Sequence, residues 1–281
     1  MYIEKGDCML RLENIKVIFI DIDKTLTDDK RQVPKENSLA IKRSKELGKL
    51  VVLCSGRGFS YAGQKAKEAC ASELLITSNG AQIYDFKNHK SLYENKISKE
   101  TVKKLLIQLH NLGVECILNT SNTRFGTKNL KRKIDKDEKF FNTIDDIGNE
   151  NILQIVCEVD SYSDMKKLIE IVDEYRDLVI LNFSRTFLEH KENENNYYAD
   201  INNCNVNKGE GIKKFLEIFN IKKEEALCFG DYINDVEMFD ACGYKVAMGN
   251  ASENLKAKAD YITLSNNEAG VAYFINNYIL K

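Results

Sequence analysis

Two hundred and eighty-one residues exceed one average domain and fall short of three, so one large domain or two is expected. An apolar share of 43% with a charged share of 30% suits a chain that builds a real core, which excludes collagen-like, low-complexity and disordered classes. Forty-one Lys and Arg against 43 Asp and Glu leave a net charge of −2, with the basic residues scattered, so no nucleic-acid partner is expected.

The local patch Lys128, Lys131, Arg132 and Lys133 is followed at once by acidic residues and reads as a solvated helix face. Apolar runs such as Val17–Ile20 and Leu50–Cys54 are far shorter than a bilayer span. Met1–Asn14 lacks the apolar stretch of a secretory signal, so a cytoplasmic protein with no membrane partner is expected.

Along the chain, Lys16–Asp21 predicts a buried strand, and a helix over Lys35–Leu47 follows the sole proline, Pro34. Leu50–Cys54 predicts a strand, Ser60–Cys70 a helix and Leu74–Thr77 a third strand. Near-continuous Val, Ile and Leu strands separated by polar helices point to a parallel sheet covered on both faces. The middle differs. Thr101–Leu112 has helical spacing, Val114–Asn119 and Asn151–Val159 read as strands, Met165, Leu168, Ile169 and Val172 share a helix face, and Leu178–Asn182 reads as a strand. His190–Asn196 is polar enough to be a linker or exposed turn. The alternation then resumes, with a helix carrying Ile212, Phe215, Leu216 and Phe219, strands at Ala226–Gly230, Tyr244–Ala247 and Tyr261–Leu264, and a closing helix over Glu268–Tyr278. The simplest account is one βα domain, 1–82 and 196–281, interrupted by a second at 83–195.

Eight cysteines occur without any C-x-x-C pair, and Cys54, Cys157 and Cys228 lie in apolar strand-like runs, where a thiol acts as a small hydrophobe. His89, His110 and His190 adjoin none of the motifs below, which argues against histidine catalysis.

The chemistry-bearing residues cluster at strand ends. Asp21-Ile22-Asp23-Lys24-Thr25-Leu26 follows the first strand directly, the place where parallel sheets put ligands, and residues two apart on an extended chain face one side. A solvated turn or helix cap is the alternative. Gly230-Asp231-Tyr232-Ile233-Asn234-Asp235 ends another apolar strand, and one helical turn would gather Asp231, Asn234 and Asp235. Asp231 as a simple helix cap explains less of this motif. Bare aspartates from two strand ends repel and raise one another's pKa, a conflict that a hard divalent cation such as Mg²⁺ resolves. Ser55-Gly56-Arg57-Gly58 offers a hydroxyl and backbone N–H groups to a phosphate. Lys208 opens a helix, where a cation is unfavourable unless an anion lies close.

In this order, Asp21-x-Asp23-x-Thr25, Ser55, Lys208 and Gly230-Asp231-x-x-Asn234-Asp235 resemble the motifs of the haloacid dehalogenase superfamily, Cof-type phosphatase branch. Thr77-Ser78-Asn79-Gly80-Ala81 and Ala247-Met248-Gly249-Asn250-Ala251 match it too, and the likeness spans residues 15–281. The resemblance implies an α/β fold, a Rossmann-like parallel-sheet core with an inserted α/β cap domain. It implies a Mg²⁺-dependent phosphatase of small phosphomonoesters, either sugar phosphates or phosphorylated cofactors, working through an aspartyl-phosphate. A phosphomutase or phosphotransferase using the same site, or a non-catalytic phosphate-sensing module, are the alternatives.

By the same resemblance Asp21 is the nucleophile and Asp23 the acid–base residue. Ser55, Gly56, Lys208 and Asn234 bind phosphate. Asp21, the backbone carbonyl of Asp23, Asp231 and Asp235 hold the metal. Superfamily members that cleave carbon–halogen bonds lack a carboxylate at the position of Asp23, so its presence favours phosphate chemistry. Lys24 stands where Gly is common, which implies a backbone conformation open to other residues and a side chain directed away from the metal. Arg57, Arg124 and Arg185 are candidates for a second anionic group, with surface salt bridges the plainer reading.

Overall fold

The computed structural model describes residues 12–127, 138–183, 188 and 197–280. The basic patch at 128–133, Arg185 and the polar run at 190–196 lie outside the described residues. In chain order the elements are β1 (Val17–Ile20), α1 (Lys35–Glu46), β2 (Leu50–Cys54), α2 (Phe59–Glu68), β3 (Leu74–Thr77), β4 (Gln82–Asp85) and β5 (Lys90–Glu94). Next come α3 (Lys99–Asn111), β6 (Glu115–Thr120), β7 (Arg124–Thr127), β8 (Glu138–Phe141), β9 (Ile152–Val159), α4 (Tyr162–Asp173), β10 (Val179–Phe183) and β11 (Tyr197–Asn203). The chain closes with α5 (Lys208–Ile218), β12 (Ala226–Gly230), α6 (Val236–Ala241), β13 (Tyr244–Ala247), α7 (Glu253–Lys256), β14 (Tyr261–Ile262) and α8 (Gly270–Phe274).

The described residues fall into two compact units, one within Met1–Leu92 and Asn207–Lys281, the other within Tyr93–Val206. The divisions therefore lie ten and eleven residues beyond the expected 83 and 195. The reason is strand pairing. β4 joins the first unit's sheet by pairing antiparallel with β3, Leu74 opposite Asp85 and Thr77 opposite Gln82. β11, which lacks a continuous apolar run because Tyr198, Asp200 and Asn202 alternate with its apolar residues, pairs with both β9 and β10 in the second unit's sheet.

The first unit's sheet has the order β14-β13-β12-β1-β2-β3-β4-β5. β1 runs parallel to both β12 and β2, so three adjacent strands end on the same edge. Chain order progresses one way from β1 to β5 and the other way from β12 to β14, which makes the β1/β12 junction a topological switch point. Val17, Ile18, Phe19, Ile20, Leu227, Cys228 and Phe229 are all fully buried, as central parallel strands require.

The second unit's sheet has the order β10-β11-β9-β6-β7-β8. Its core gathers Val102, Leu105 and Leu109 of α3 and Met165, Leu168 and Val172 of α4 onto Cys116, Leu118, Ile155, Cys157, Tyr197 and Ile201. Ser98 and Ser161 cap the two helices by accepting from the backbone N–H groups of Thr101 and Asp164.

One closing element differs from expectation. Ala269 has φ +53°, so the chain breaks between a short turn at Asn266–Glu268 and α8 instead of running as one helix from Glu268. Gly270 makes the break possible, since a Cβ there would lie 2.0 Å from the Leu264 carbonyl oxygen. All described cysteines are free thiols, and Cys54, Cys157 and Cys228 are buried as small hydrophobes.

Candidate active site

The site begins where β1 runs out. Asp21 follows Ile20, its N–H donating to the Phe229 carbonyl of β12 at 3.2 Å, and its side chain is buried. The chain then makes a wide turn closed by Leu26 N–H to Asp21 O at 3.1 Å and Thr27 N–H to Ile22 O at 3.0 Å. Lys24 carries φ +64° in this turn, the left-handed region that costs a residue with a Cβ about 1–2 kcal/mol. The expectation of an ordinary backbone at Lys24 is thereby corrected. The turn keeps the glycine-like geometry, and the residue is exposed.

The neighbouring strand β12 delivers Asp231, whose Oδ1 accepts from the Thr25 hydroxyl at 3.3 Å. Asp235 folds back beneath it, its Oδ2 accepting from the N–H groups of Asp231 at 2.9 Å and Tyr232 at 3.1 Å. Gly230 leaves room for this, because a Cβ there would stand 2.6 Å from that of Asp235. Asn234, expected on the same side as Asp231 and Asp235, is exposed while both aspartates are buried. The tight turn over Ile233–Asp235 replaces the regular helical turn that would have grouped them.

Asp21, Asp231 and Asp235 offer oxygens that all lie within 4.8 Å of one another. Lys208, the first residue of α5, reaches in with Nζ 2.6 Å from Asp21 Oδ1 and 2.7 Å from Asp235 Oδ1. This is the nearby anion that a lysine at a helix start called for. Burial pushes the Asp21 carboxyl well above the usual carboxylate range; Lys208 opposes that rise, and Asp235 and Asp231 add to it. For Lys208 burial acts to lower the pKa, but Asp21 and Asp235 outweigh it and hold the ammonium well above its ordinary value. Burial likewise raises the thiol of Cys54, the residue before Ser55, and leaves it protonated.

On the other side of β1, β2 ends at Ser55, which is 2% exposed and accepts the Arg57 N–H through its hydroxyl at 3.1 Å. The segment Ser78-Asn79-Gly80 braces this loop through three successive left-handed residues, φ +52°, +61° and +98°. Ser78 N–H donates to Arg57 O at 3.0 Å and Asn79 N–H to Ser55 O at 3.1 Å. A Cβ at Gly56 would fall 2.6 Å from Asn79 Oδ1, and one at Gly80 would fall 2.2 Å from the Asn207 carbonyl oxygen. Gly80 thus lets the start of α5 approach closely enough to seat Lys208.

Asp23 stands apart from the three buried carboxylates. It is half-buried and holds Arg57 in a two-point pair, Nε to Oδ2 at 3.0 Å and Nη2 to Oδ1 at 3.4 Å. The Arg57 guanidinium also lies over the Tyr61 ring, 5.4 Å from its centroid. A salt bridge at Arg57 was the plainer sequence reading, and its partner proves to be the candidate acid–base residue. Arg124 pairs with Glu138 at 3.8 Å and donates to Asn119 at 2.9 Å within the second unit.

Of the residues expected at one site, Asp21, Asp231, Asp235 and Lys208 meet directly, while Asp23 pairs with Arg57 and Asn234 is exposed. The contacts of Thr25, Asn79, Gly80 and Asn250 had no expectation attached, although their motifs stand in the sequence.

The sequence profile of the haloacid dehalogenase-like hydrolases matches residues 18–275. A 5-amino-6-(5-phospho-D-ribitylamino)uracil phosphatase of Bacillus subtilis is 29% identical over 267 residues, covering 95% of this chain and 97% of its own. The crystal structure of a haloacid dehalogenase-like hydrolase from Bacteroides thetaiotaomicron superposes with TM-score 0.78 at 26% identity, over 93% of this chain and 98% of that one. The fold is shared as well by a subclass IIB sugar phosphatase, TM-score 0.74 at 22% identity, over 94% of this chain and 98% of that one. With its motifs at adjoining ends of one parallel sheet, the chain belongs to the haloacid dehalogenase-like hydrolases.

Proposed function

We propose that this protein is a Mg²⁺-dependent phosphatase that hydrolyses small phosphomonoesters through an aspartyl-phosphate on Asp21. The observation that carries the reading is the buried group of Asp21, Asp231 and Asp235, with the Lys208 ammonium on Asp21 and Asp235. A divalent ion matches a close group of buried carboxylates, and oxygen donors suit Mg²⁺. Asp21, Asp231, Asp235 and the Asp23 carbonyl would hold it. When bound, the ion offsets the repulsion between these carboxylates and an incoming phosphate.

Asp21 is the nucleophile because it ends the central strand with its carboxylate held by a cation. Its oxygen attacks phosphorus while the bond to the leaving oxygen breaks, and Asp23 gives that oxygen a proton. Asp23 then takes a proton from the water that releases phosphate from Asp21. Help of this kind is typically worth ~10²–10⁴ in rate. Lys208⁺, the Ser55 hydroxyl and the N–H of Gly56 stabilise charge on the phosphoryl oxygens, the main protein contribution to such transfers. Asn234, being exposed, is left a role only toward a bound phosphate at the rim.

The Bacillus relative acts on a phosphorylated ribityl compound, which supports sugar phosphates or phosphorylated cofactor precursors as the substrate class. The test is a screen of phosphorylated metabolites for phosphate release, with Mg²⁺ and with a chelator. Release without any acceptor sugar supports hydrolysis. Transfer only when an acceptor is present identifies a phosphotransferase, and neither outcome with any ester refutes the proposal.

A further inference from the structure

The left-handed turn that carries Asp23 is held from outside by three asparagine carboxamides. Asn250 Nδ2 donates to the Lys24 carbonyl at 2.9 Å, Asn37 Nδ2 to the Leu26 carbonyl at 3.0 Å, and Asn266 Nδ2 to the Thr27 carbonyl at 3.1 Å. Two of these amides are fixed at their other end. Asn250 Oδ1 accepts the Asn266 N–H at 2.9 Å, and Asn37 Oδ1 accepts the Ala272 N–H at 2.9 Å. Because a backbone N–H can only donate, these contacts also fix which end of each carboxamide faces the turn. Asn37 and Asn266 are buried, whereas Asn250 is exposed. The first two therefore belong to the packed core, and Asn250 is the contact that can be lost without opening it.

Resting on the phosphatase reading above, we propose that Asn250 is a positioning residue for Asp23, acting by clamping the carbonyl of the strained Lys24. Asp23 lies between two fixed points, the end of β1 at Asp21 and the Lys24 peptide. Lys24 is left-handed with a Cβ present, so this conformation persists only while neighbours enforce it. Release of its carbonyl lets the peptide rotate toward an ordinary φ, and that rotation turns Asp23 away from the leaving-group oxygen. Small misplacements of a reacting group cost rate steeply.

The test compares two esters in the presence of Mg²⁺: glycerol phosphate, whose alkoxide must be protonated as it leaves, and 2,4-dinitrophenyl phosphate, whose phenolate leaves unaided. Asn250→Ala is expected to lower kcat for the alkyl ester about tenfold and for the aryl ester by less than about twofold, with KM little changed. Lys24→Gly in the same chain is expected to recover about fivefold of the alkyl loss, because glycine takes a positive φ without strain. Asn250→Asp keeps the acceptor and the size but removes the donor, and is expected to match Asn250→Ala if the alanine variant proves unstable. Equal losses on both esters, or no recovery with Lys24→Gly, would overturn the positioning role while the phosphatase reading stands. A wild type that releases phosphate from no ester, these two or any in the metabolite screen, overturns that reading, and this inference with it.

Discussion

Removing the ammonium of Lys208 tests the electrostatics of the whole site. Nζ sits 2.6 Å and 2.7 Å from two carboxylates, and the side chain is 2% exposed, so water cannot replace it. Lys208→Met keeps much of the length and removes the charge that Asp21 and Asp235 share. Breaking a buried ion pair by deleting one partner costs about 3–5 kcal/mol. At roughly 2–4 °C per kcal/mol for a chain of this size, thermal unfolding in a chelator should fall by about 10 °C. Because the cluster is then more negative, Mg²⁺ should stabilise the variant more than the wild type, where a hundredfold excess over Kd is worth about 2.7 kcal/mol. Turnover should drop by about 10²–10³, the loss typical of one charge-stabilising donor. Calorimetry with and without Mg²⁺ reads both states. If the metal-free variant melts with the wild type, or Mg²⁺ raises both equally, the ammonium and the metal do not share one cluster, and the reasoning fails.

Asp21→Asn should abolish turnover of aryl phosphates while the circular-dichroism spectrum stays native; sustained turnover by the purified variant removes the nucleophile assignment. The pH dependence has a definite sign. Asp21 is raised in the folded state, so its contribution to stability is full below its ordinary pKa of 3.8 and is lost as pH rises through the folded value. Metal-free protein should therefore lose stability on that account between acid and neutral pH, and the melting gain from Mg²⁺ should be larger at pH 7.5 than at pH 5. Gly80→Ala should destabilise the chain and cut turnover together, since the new Cβ meets the Asn207 carbonyl that opens α5. Gly113→Ala shares a positive φ, +75°, but meets nothing within 4 Å, so it should show only the smaller backbone cost of about 1 kcal/mol and leave turnover unchanged.

How much of this was legible follows from range in sequence. The central strands β1, β2, β3 and β12 were readable because parallel strands buried on both faces become continuous apolar runs. The strands at the sheet margins were not. β4 and β5 begin and end on polar residues, β7 contains Gly126, and β11 alternates apolar residues with Tyr198, Asp200 and Asn202, so none forms the continuous apolar run that marks the central strands. That gap alone moved both division points between the units. In the site, Asp21 and Asp231 were visible because they follow apolar runs, Asp23 and Asp235 because of their spacing from these two, and Lys208 because a cation at a helix start needs a reason. The contact of Asn250 with Lys24 was invisible, since it joins positions 226 residues apart through one carboxamide and a carbonyl that every residue possesses. The same holds for Arg57, whose charge was evident but whose partner depends on β1 and β2 ending side by side.

Buried charge and backbone strain meet at one sheet edge. Three carboxylates are buried together, Asp21 is held with a raised pKa, and Lys24, Ser78 and Asn79 occupy left-handed φ values that their Cβ atoms disfavour. Strain of this kind persists only where the surroundings over-determine it. Here the surroundings are specific: the in-register pairing of β1 with β12 and β2, the close approach of Gly80 to the start of α5, and the asparagine amides on the turn. A site meant only for stability would have replaced the buried charges by apolar residues, which is often neutral or stabilising. The arrangement makes physical sense if charge is supplied to that edge in the course of function, as a cation and a phosphate would supply it. On this account, variants that relieve the cost, such as Asp231→Asn, should leave the metal-free protein at least as stable as the wild type while losing the stabilisation by Mg²⁺, a combination that a purely structural aspartate would not produce.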